Sequence, residues 1–445
     1  MSRSSPSSPP SRAASGSHAA SRSAGDATSR LRRIIPWWAV AITIVVLVSS
    51  AFAVDAIWDA ATFDGVGEAR LGVTTGYLSI APLSAVLDTL TLLTIPQHIA
   101  IVVTAILVYA GIRWRRASAR PKRILTELVA ALGFLVALVL VYAAVAVLPR
   151  PMAGLVVSDE TVLAIDFHAH TKYSHDGRWD WTEDDVRDWH RSAGYDAVYI
   201  TDHATFEGAE RGIATNPPVA GEGEIVLQGL EAFYKGEHVN ILSAGRHYRG
   251  LTNATLKDID PEALGLASLL PQSTPLLIET VPGNLDKVPA STDKMPVGVQ
   301  AIEIVDGSPR GLTQGRRDHN RIIKIADSLN LALVTGSDNH GWGRAAPGWT
   351  LMRIGGWRGM PTDSLSSRIE HALREGRRAA TRTAERRVAE ASNPAEVVFA
   401  APLVLWRMFT TLSPDERVMW LIWTWGAVLV MRAYRTYRNR PPAAA

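Results

Sequence analysis

Residues 128–148 form a run of about twenty positions without a charge, the length at which an α-helix crosses the hydrocarbon of a bilayer. A run of this kind leaves water only by entering a membrane or a large core, so it limits the possible folds more than any other feature. Four further apolar stretches accompany it. Residues 34–54 follow Arg30, Arg32 and Arg33 and are long enough to span. A secretory signal is the weaker reading, because the run exceeds a usual signal core and no small-residue cleavage site stands out. Residues 90–112 are apolar around Pro96, Gln97 and His98. Residues 418–431, with Trp420, Trp423 and Trp425, are the candidate fourth span, at a length where interfacial segments compete. Residues 397–412, interrupted by Pro402 and Arg407, read as a helix on the membrane surface.

The charges between these runs give an orientation. Arg30, Arg32 and Arg33 precede the first, Arg113, Arg115, Arg116, Arg120, Lys122 and Arg123 separate the second and third, and Arg432, Arg435, Arg438 and Arg440 follow the fourth. The stretch between the first two carries Asp55, Asp59, Asp64 and Glu68 against Arg70 alone. Short basic loops stay in the cytoplasm, so four spans put all three basic clusters inside. The large segment between the third and fourth then faces outward. The expected organisation is a disordered cytoplasmic tail over 1–29 and a membrane region over 30–158. A globular domain over 159–386 and a surface helix, span and basic tail over 387–445 follow.

The 445 residues suffice for one large domain besides these segments, and 47% are hydrophobic. There is no Cys, which excludes a disulfide framework, a thiolate nucleophile and Cys-ligated zinc, so any metal must be held by His and carboxylates. The net charge of +3 gives no support to nucleic-acid binding, and the globular part shows no basic groove or stacking aromatic series.

Within 159–386, β-like runs fall at 162–167, 197–200, 225–230, 238–243, 276–279, 301–305 and 332–335. Residues 316–329 show helical spacing at Ile322, Ile325 and Leu329. Alternating strands and helices predict a parallel α/β sheet or barrel. Four polar clusters sit at the ends of these runs. Residues two apart on a strand face the same way, so His168 and His170 can meet one ion. Thr201-Asp202-His203, then Glu231 with His238, then Gly336-Ser337-Asp338-Asn339-His340 complete the set. Such His and carboxylate groups suit Zn, Mn or Fe, and a carboxylate can bridge two ions.

The run Asp166-Phe167-His168-Ala169-His170-Thr171, with Ser174-His175-Asp176-Gly177 after it, resembles the first motif of the polymerase and histidinol phosphatase (PHP) family. Thr201-Asp202-His203 resembles the second, Glu231 the third and Gly336–His340 the last. The resemblance implies a distorted (β/α)7 barrel with a two- or three-metal site. It implies that His168, His170, Glu231 and Asp338 hold one ion, that His203, His340 and either His175 or Asp176 hold another, and that Glu231 and His238 contribute to a further one. The family often has an Ala-His-Pro-like motif before the last, and residues 277–283 contain no His. Two tightly held ions are therefore expected rather than three, with Glu279 as a possible substitute ligand.

Two adjacent cations lower the pKa of a shared water and stabilise both oxygens of a phosphoryl displacement, so no protein nucleophile is needed. Asp166 and Asp202 are expected to orient His rings, and Arg344 to meet a phosphate. Residues 208–223 and 283–297 are expected to shape the pocket. The resulting expectation is a membrane-anchored, metal-dependent phosphoesterase, its catalytic domain outside the cytoplasm and its substrate a phosphorylated small molecule or envelope component. A non-catalytic metal-binding module, sensor or assembly factor, is the alternative favoured by the missing His, and a nuclease ranks third.

Overall fold

The computed structural model describes residues 36–117, 124–234, 237–242, 276–288 and 299–438. The tail at 1–29 and part of the 283–297 segment lie outside them. In chain order the main elements are α1 (Trp37–Ser50), β1 (Ile57–Asp59), β2 (Ala69–Val73), α2 (Thr75–Ser79), α3 (Ala81–Thr91), α4 (Ile95–Ala117), α5 (Ile124–Val147) and β3 (Ala153–Val157). The metal-bearing part follows with β4 (Val162–Ala169), α6 (Glu183–Ala193), β5 (Ala197–Ile200), α7 (Glu207–Ala214), β6 (Ile225–Tyr234), β7 (Glu237–Leu242), β8 (Leu276–Glu279) and β9 (Val299–Asp306). The chain continues through α8 (Pro309–Leu329), β10 (Ala332–Gly336), β11 (Gly348–Arg353), α9 (Thr362–Gly376), β12 (Thr381–Arg386), α10 (Pro394–Val398), α11 (Ala400–Thr411) and α12 (Pro414–Arg438).

Two helices are long and apolar enough to cross a membrane: Ile95–Arg115, 21 residues, and Leu125–Val147, 23 residues. At 1.5 Å per residue they extend about 32 and 35 Å, enough for the hydrocarbon layer. Only 6% of each apolar window is buried inside the protein, whereas a core helix of a water-soluble domain would be mostly covered. The polar triplet at 96–98 does not interrupt the first of them. Pro96 occupies its first turn, where a missing N–H costs nothing. Gln97 is buried, accepts a hydrogen bond from Thr94 N at 3.0 Å, and donates to Ala389 O at 2.9 Å.

The other two apolar runs depart from expectation. The helix in the first ends at Ser50 and has 14 residues, about 21 Å, short of a full span. In the last, α12 is longer than the apolar run, because Pro414 starts it and Asp415, Glu416 and Arg417 form its first turns. Residues 397–412 are not one surface helix. Phe399 breaks them into α10 and α11, and Met408, Phe409 and Leu412 pack with Val46 of α1 and Ala85 of α3.

The sheet has ten strands in the order β1-β12-β11-β4-β5-β6-β7-β8-β9-β10. Seven of them, β4 to β10, lie side by side in sequence order, and the sheet curls so that the end of β10 returns to β4. Asp338 N donates to His168 O at 2.8 Å, and His170 N to Asn339 O at 3.1 Å. The uniform parallel sheet is not found. β4–β5–β6 and β8–β9–β10 are parallel, but β7 runs antiparallel to both its neighbours, and β11, β12 and β1 are antiparallel additions. A short connection between β6 and β7 leaves no room for a crossover helix, so that pair is a hairpin. β1 comes from between the first two apolar runs, with Ile57 opposite Arg386. Every residue of β4, β5, β8, β9 and β10 is buried, as expected for strands covered on both faces.

Candidate metal centre

The four polar clusters converge because their strands end at one rim. Beyond the ladders, Thr201 N donates to Ala169 O at 2.8 Å and Glu231 N to Thr201 O at 2.9 Å, which keeps the ends of β4, β5 and β6 in register. Asp166, fully buried, joins β4 to β10: its Oδ1 accepts from His168 N at 3.1 Å and Ser337 N at 2.9 Å. The ligand-bearing turns need unusual backbone. Asp338 (φ 45°) and Ala204 (φ 57°), which follows His203, lie in the left-handed region, conformations that only the surrounding bonds sustain.

Four atoms define the first ligand set. His168 Nε2 lies 3.0 Å from His170 Nε2, 3.0 Å from Glu231 Oε2 and 3.4 Å from Asp338 Oδ1. His170 Nε2 lies 3.2 Å from Glu231 Oε2 and 3.3 Å from Asp338 Oδ1. A tetrahedral ion with ligands at about 2.0–2.1 Å requires ligand–ligand edges of about 3.3–3.4 Å, close to these. His168 Nδ1 faces the Glu303 carboxylate at 2.9 Å, so its proton is engaged there and its Nε2 lone pair points into the set. The arrangement fits a divalent cation.

The second set shares an atom with the first. His203 Nε2 is 3.2 Å from Glu231 Oε2, the same oxygen that faces His168 and His170, and 3.5 Å from Asp176 Oδ2. That Asp176 oxygen is 3.2 Å from His340 Nε2. Of the two alternatives, Asp176 points inward. The His175 side chain is 75% exposed at the rim, though near enough to Asp176 and His203 to form a further possible group. His238 Nδ1 lies 2.7 Å from the other Glu231 oxygen, so Glu231 is common to two possible groups, one with His168 and His170 and one with His203 and His238.

The electrostatics follow from burial and crowding. Burial disfavours ionised Glu231 and Asp338, but the imidazoles, His168 foremost, hold both carboxyls below their usual range. Burial likewise disfavours charged His170, but hydrogen bonds to Asp338 and Glu231 outweigh it and push its pKa up to about 10. Without a cation the set holds protons in its place, which metal uptake displaces.

Several expected roles are corrected. Asp202 orients no His ring. Its two oxygens accept from Thr171 N and Thr171 Oγ1, each at 2.6 Å, so it fixes the turn after His170. Asp166 does accept from a ring, that of His190 at 2.7 Å, which among the described residues belongs to no ligand group. Arg344 is half-buried and donates to Arg150 O at 3.2 Å, away from the cavity. Glu279 does not replace the missing His. It pairs directly with Val239, and paired residues share a face, so it lies on the side opposite His238. Among the described residues it joins no ligand group.

Comparison with known proteins adds little. No family model matches the chain, and no curated protein matches it. PsfC from Pseudomonas syringae is 14% identical, with 56% of this chain and 99% of that one covered and a TM-score of 0.34. A two-domain protein of Bacteroides vulgatus containing a predicted PHP-like metal-dependent phosphoesterase is 17% identical, at 50% and 64% coverage and a TM-score of 0.30. An amidohydrolase from Chromobacterium violaceum is 15% identical, at 46% and 96% coverage and a TM-score of 0.28. At these scores the likeness carries no weight, and the site is argued from its own geometry.

That geometry includes residues the sequence reading missed. Glu303 and Asp306 sit in β9, a strand buried at every position, and Asp306 joins His168 and Asp338 in a possible ligand group. Two carboxylates in a largely apolar run were the available signal. Gly336 makes room for the Glu303–His168 contact: a Cβ there would lie 2.5 Å from Glu303 Oε1 and 2.6 Å from His168 Cβ. Arg310 also escaped notice. With Ser308 and Pro309 it lines the open cavity of about 520 Å³ over the ligand set, at the N-terminus of α8. It forms no hydrogen bond or ion pair among the described residues.

Proposed function

We propose that this chain is a membrane-anchored, metal-dependent phosphoesterase of the PHP kind, with its metal domain outside the cytoplasm. The observation that carries the chemistry is the single Glu231 Oε2 lying 3.0–3.2 Å from three imidazole nitrogens of two adjacent ligand sets. Bound there, divalent Zn, Mn or Fe would acidify water and offset charge on phosphoryl oxygens. His168, His170, Glu231 and Asp338 would hold one ion, and His203, His340 and Asp176 a second. Glu303 keeps His168 in the ligating tautomer. Arg310, at a helix N-terminus facing the same cavity, is placed to receive a phosphate dianion.

Anchoring is supported by the two uncovered apolar helices, and sidedness by where the charges fall. The α4–α5 pair meets the metal domain at Ile95 and Ala146, whereas Arg113, paired with Glu127, stands at the other end of the two helices. The test uses the full-length protein, since β1 precedes the spans. With added Mn²⁺ it should hydrolyse a generic aryl phosphate, and Glu231→Gln and Asp338→Ala should lose bound metal and turnover together. A fully metal-loaded Asp338→Ala with ordinary turnover would overturn the assignment.

A further inference from the structure

The wall of the metal cavity is continuous with a membrane helix. Ile95, the first residue of the candidate span Ile95–Arg115, lines the same cavity as His168, Asp338 and Arg310. It is fixed there, because Ile95 N donates to Thr313 Oγ1 of α8 at 3.0 Å. The neighbouring span is attached equally close to the ligands: Gly343 N, three residues after His340, donates to Ala146 O at 2.9 Å. The rim beside His340 carries two exposed tryptophans, Trp342 (52%), with Arg178 over its ring, and Trp179 (84%), next to Arg178 in the chain. Amphipathic rings exposed at the end of a span suit the headgroup layer. From the cavity, Ile95, Ile99, Val103 and Leu107 recur at four-residue spacing and are all exposed. They make an apolar stripe of about 18 Å running from the ligand set down one face of the helix.

We propose that the substrate is a phosphate monoester carried on a lipid, whose chain stays in the bilayer along this stripe while its phosphate reaches the metal cavity. The inference rests on the phosphoesterase reading above and specifies its substrate class. A cavity opening at the bilayer surface receives a headgroup without removing the chain from hydrocarbon, which would cost about 0.8 kcal/mol per CH₂. The terminal phosphate, with its exchangeable negative oxygens, meets the ligand set on one side and Arg310 on the other. In the reaction a water oxygen bonds to phosphorus, the ester P–O bond breaks, and its electron pair leaves on the lipid oxygen. That oxygen takes a proton originating from the water, so the products are the lipid alcohol and inorganic phosphate, with no other co-reactant.

The test is substrate competition in one preparation. Full-length protein loaded with Mn²⁺ is reconstituted in phosphatidylcholine vesicles containing dioleoyl phosphatidate or farnesyl phosphate. Phosphate release is compared with that from glycerol 3-phosphate and an aryl phosphate in the same vesicles. The expected result is a kcat/KM for at least one lipid ester about a hundredfold above that for glycerol 3-phosphate, the worth of a few buried methylenes. Ile99→Asn, on the stripe but away from the ligands, should reduce that preference about tenfold. Soluble esters turned over as well as both lipid esters would overturn the lipid assignment and leave the hydrolase standing. No hydrolysis of any of the four by protein shown to hold metal would overturn the phosphoesterase reading, and the lipid assignment with it.

Discussion

Glu303 decides which nitrogen of His168 is free to ligate. Its Oε1 lies 2.9 Å from His168 Nδ1, and its Oε2 accepts from Val281 N at 3.0 Å, so the carboxylate is held from both sides. Removing such a partner typically lowers metal affinity about 10- to 100-fold. Glu303→Ala should show that loss in competition against a fluorescent chelator, whereas unchanged affinity would place control of the His168 ring elsewhere. Glu279 makes the opposite kind of prediction, about stability alone. Burial, with Glu237 and Glu303 nearby, pushes its carboxyl up to about 8 from 4.5. Between those values the unfolded carboxyl is ionised while the folded one keeps its proton. The folded state binds more protons, so its stability falls as pH rises through that window. At about 1.4 kcal/mol per unit the penalty is a few kcal/mol above pH 8 and absent below 4.5. Glu279→Gln should therefore raise the melting temperature clearly at pH 8.5 and little at pH 5, and an equal effect at both would refute the shift. The ligands themselves were legible because each stands at the end of an apolar run with a recognisable local order. Glu303 was not, since nothing in β9 taken alone says which face of which strand meets His168.

At the scale of elements, the apolar helices and the metal domain are joined through buried charge. Arg150, just after α5, pairs with Asp88 of α3, both almost wholly buried. Tyr77 Oη donates to the other Asp88 oxygen at 3.2 Å, and Arg386 of β12 approaches it at 3.6 Å. One carboxylate thus gathers the exit from the apolar helix α5, an intervening helix and an outer strand of the ten-stranded sheet. Breaking a buried pair from one side leaves an uncompensated charge and costs about 3–5 kcal/mol. Asp88→Ala should lower thermal stability by that order, and Asp88→Ala with Arg150→Met should recover much of it. A double variant no more stable than the single one would show that the pair does not act as a unit. The seven strands β4 to β10 were readable from their apolar runs, and β5 and β8 occupy the expected residues. β11 and β12 were not singled out, and β1, only three residues long, is defined by its pairing with β12 rather than by any local pattern. The reversal of β7 was equally hidden, because hydrophobic periodicity reports which residues are covered and not the direction of the neighbouring strand.

For the whole molecule, the helix directions make sidedness a single geometric question. α4 starts and α5 ends at the metal domain, and His98 Nδ1 meets Tyr142 Oη at 3.0 Å near that end. Arg113 and Glu127 pair at the other end. Helix α1 joins the domain at its C-terminus, running into β1, and α12 leaves it from its N-terminal end, where Trp420 and Leu421 pack against the cluster that holds Val46 of α1. Trp37, Arg113 and Arg438 therefore all lie away from the metal site, and the sequence beside each of them is basic. Basic segments resist translocation while a large domain crosses regardless of its charge, so the far ends should be cytoplasmic and the metal domain outside. The weak element is α12, whose uncharged portion is shorter than the hydrocarbon layer, so its tail needs its own probe. The chain has no cysteine, which allows single introduced cysteines to report position without background. Asp188→Cys, on the exposed face of α6, should react with a membrane-impermeant maleimide in intact cells. Trp114→Cys, near the hairpin turn, and Tyr437→Cys, near the end of α12, should react only after permeabilisation. Reaction of Tyr437→Cys in intact cells would show that α12 stays at the outer surface, with the metal domain still outside. Reaction of Trp114→Cys without Asp188→Cys would invert the protein and put the metal cavity against the inner leaflet, where only lipid phosphates of the cytoplasmic face could reach it.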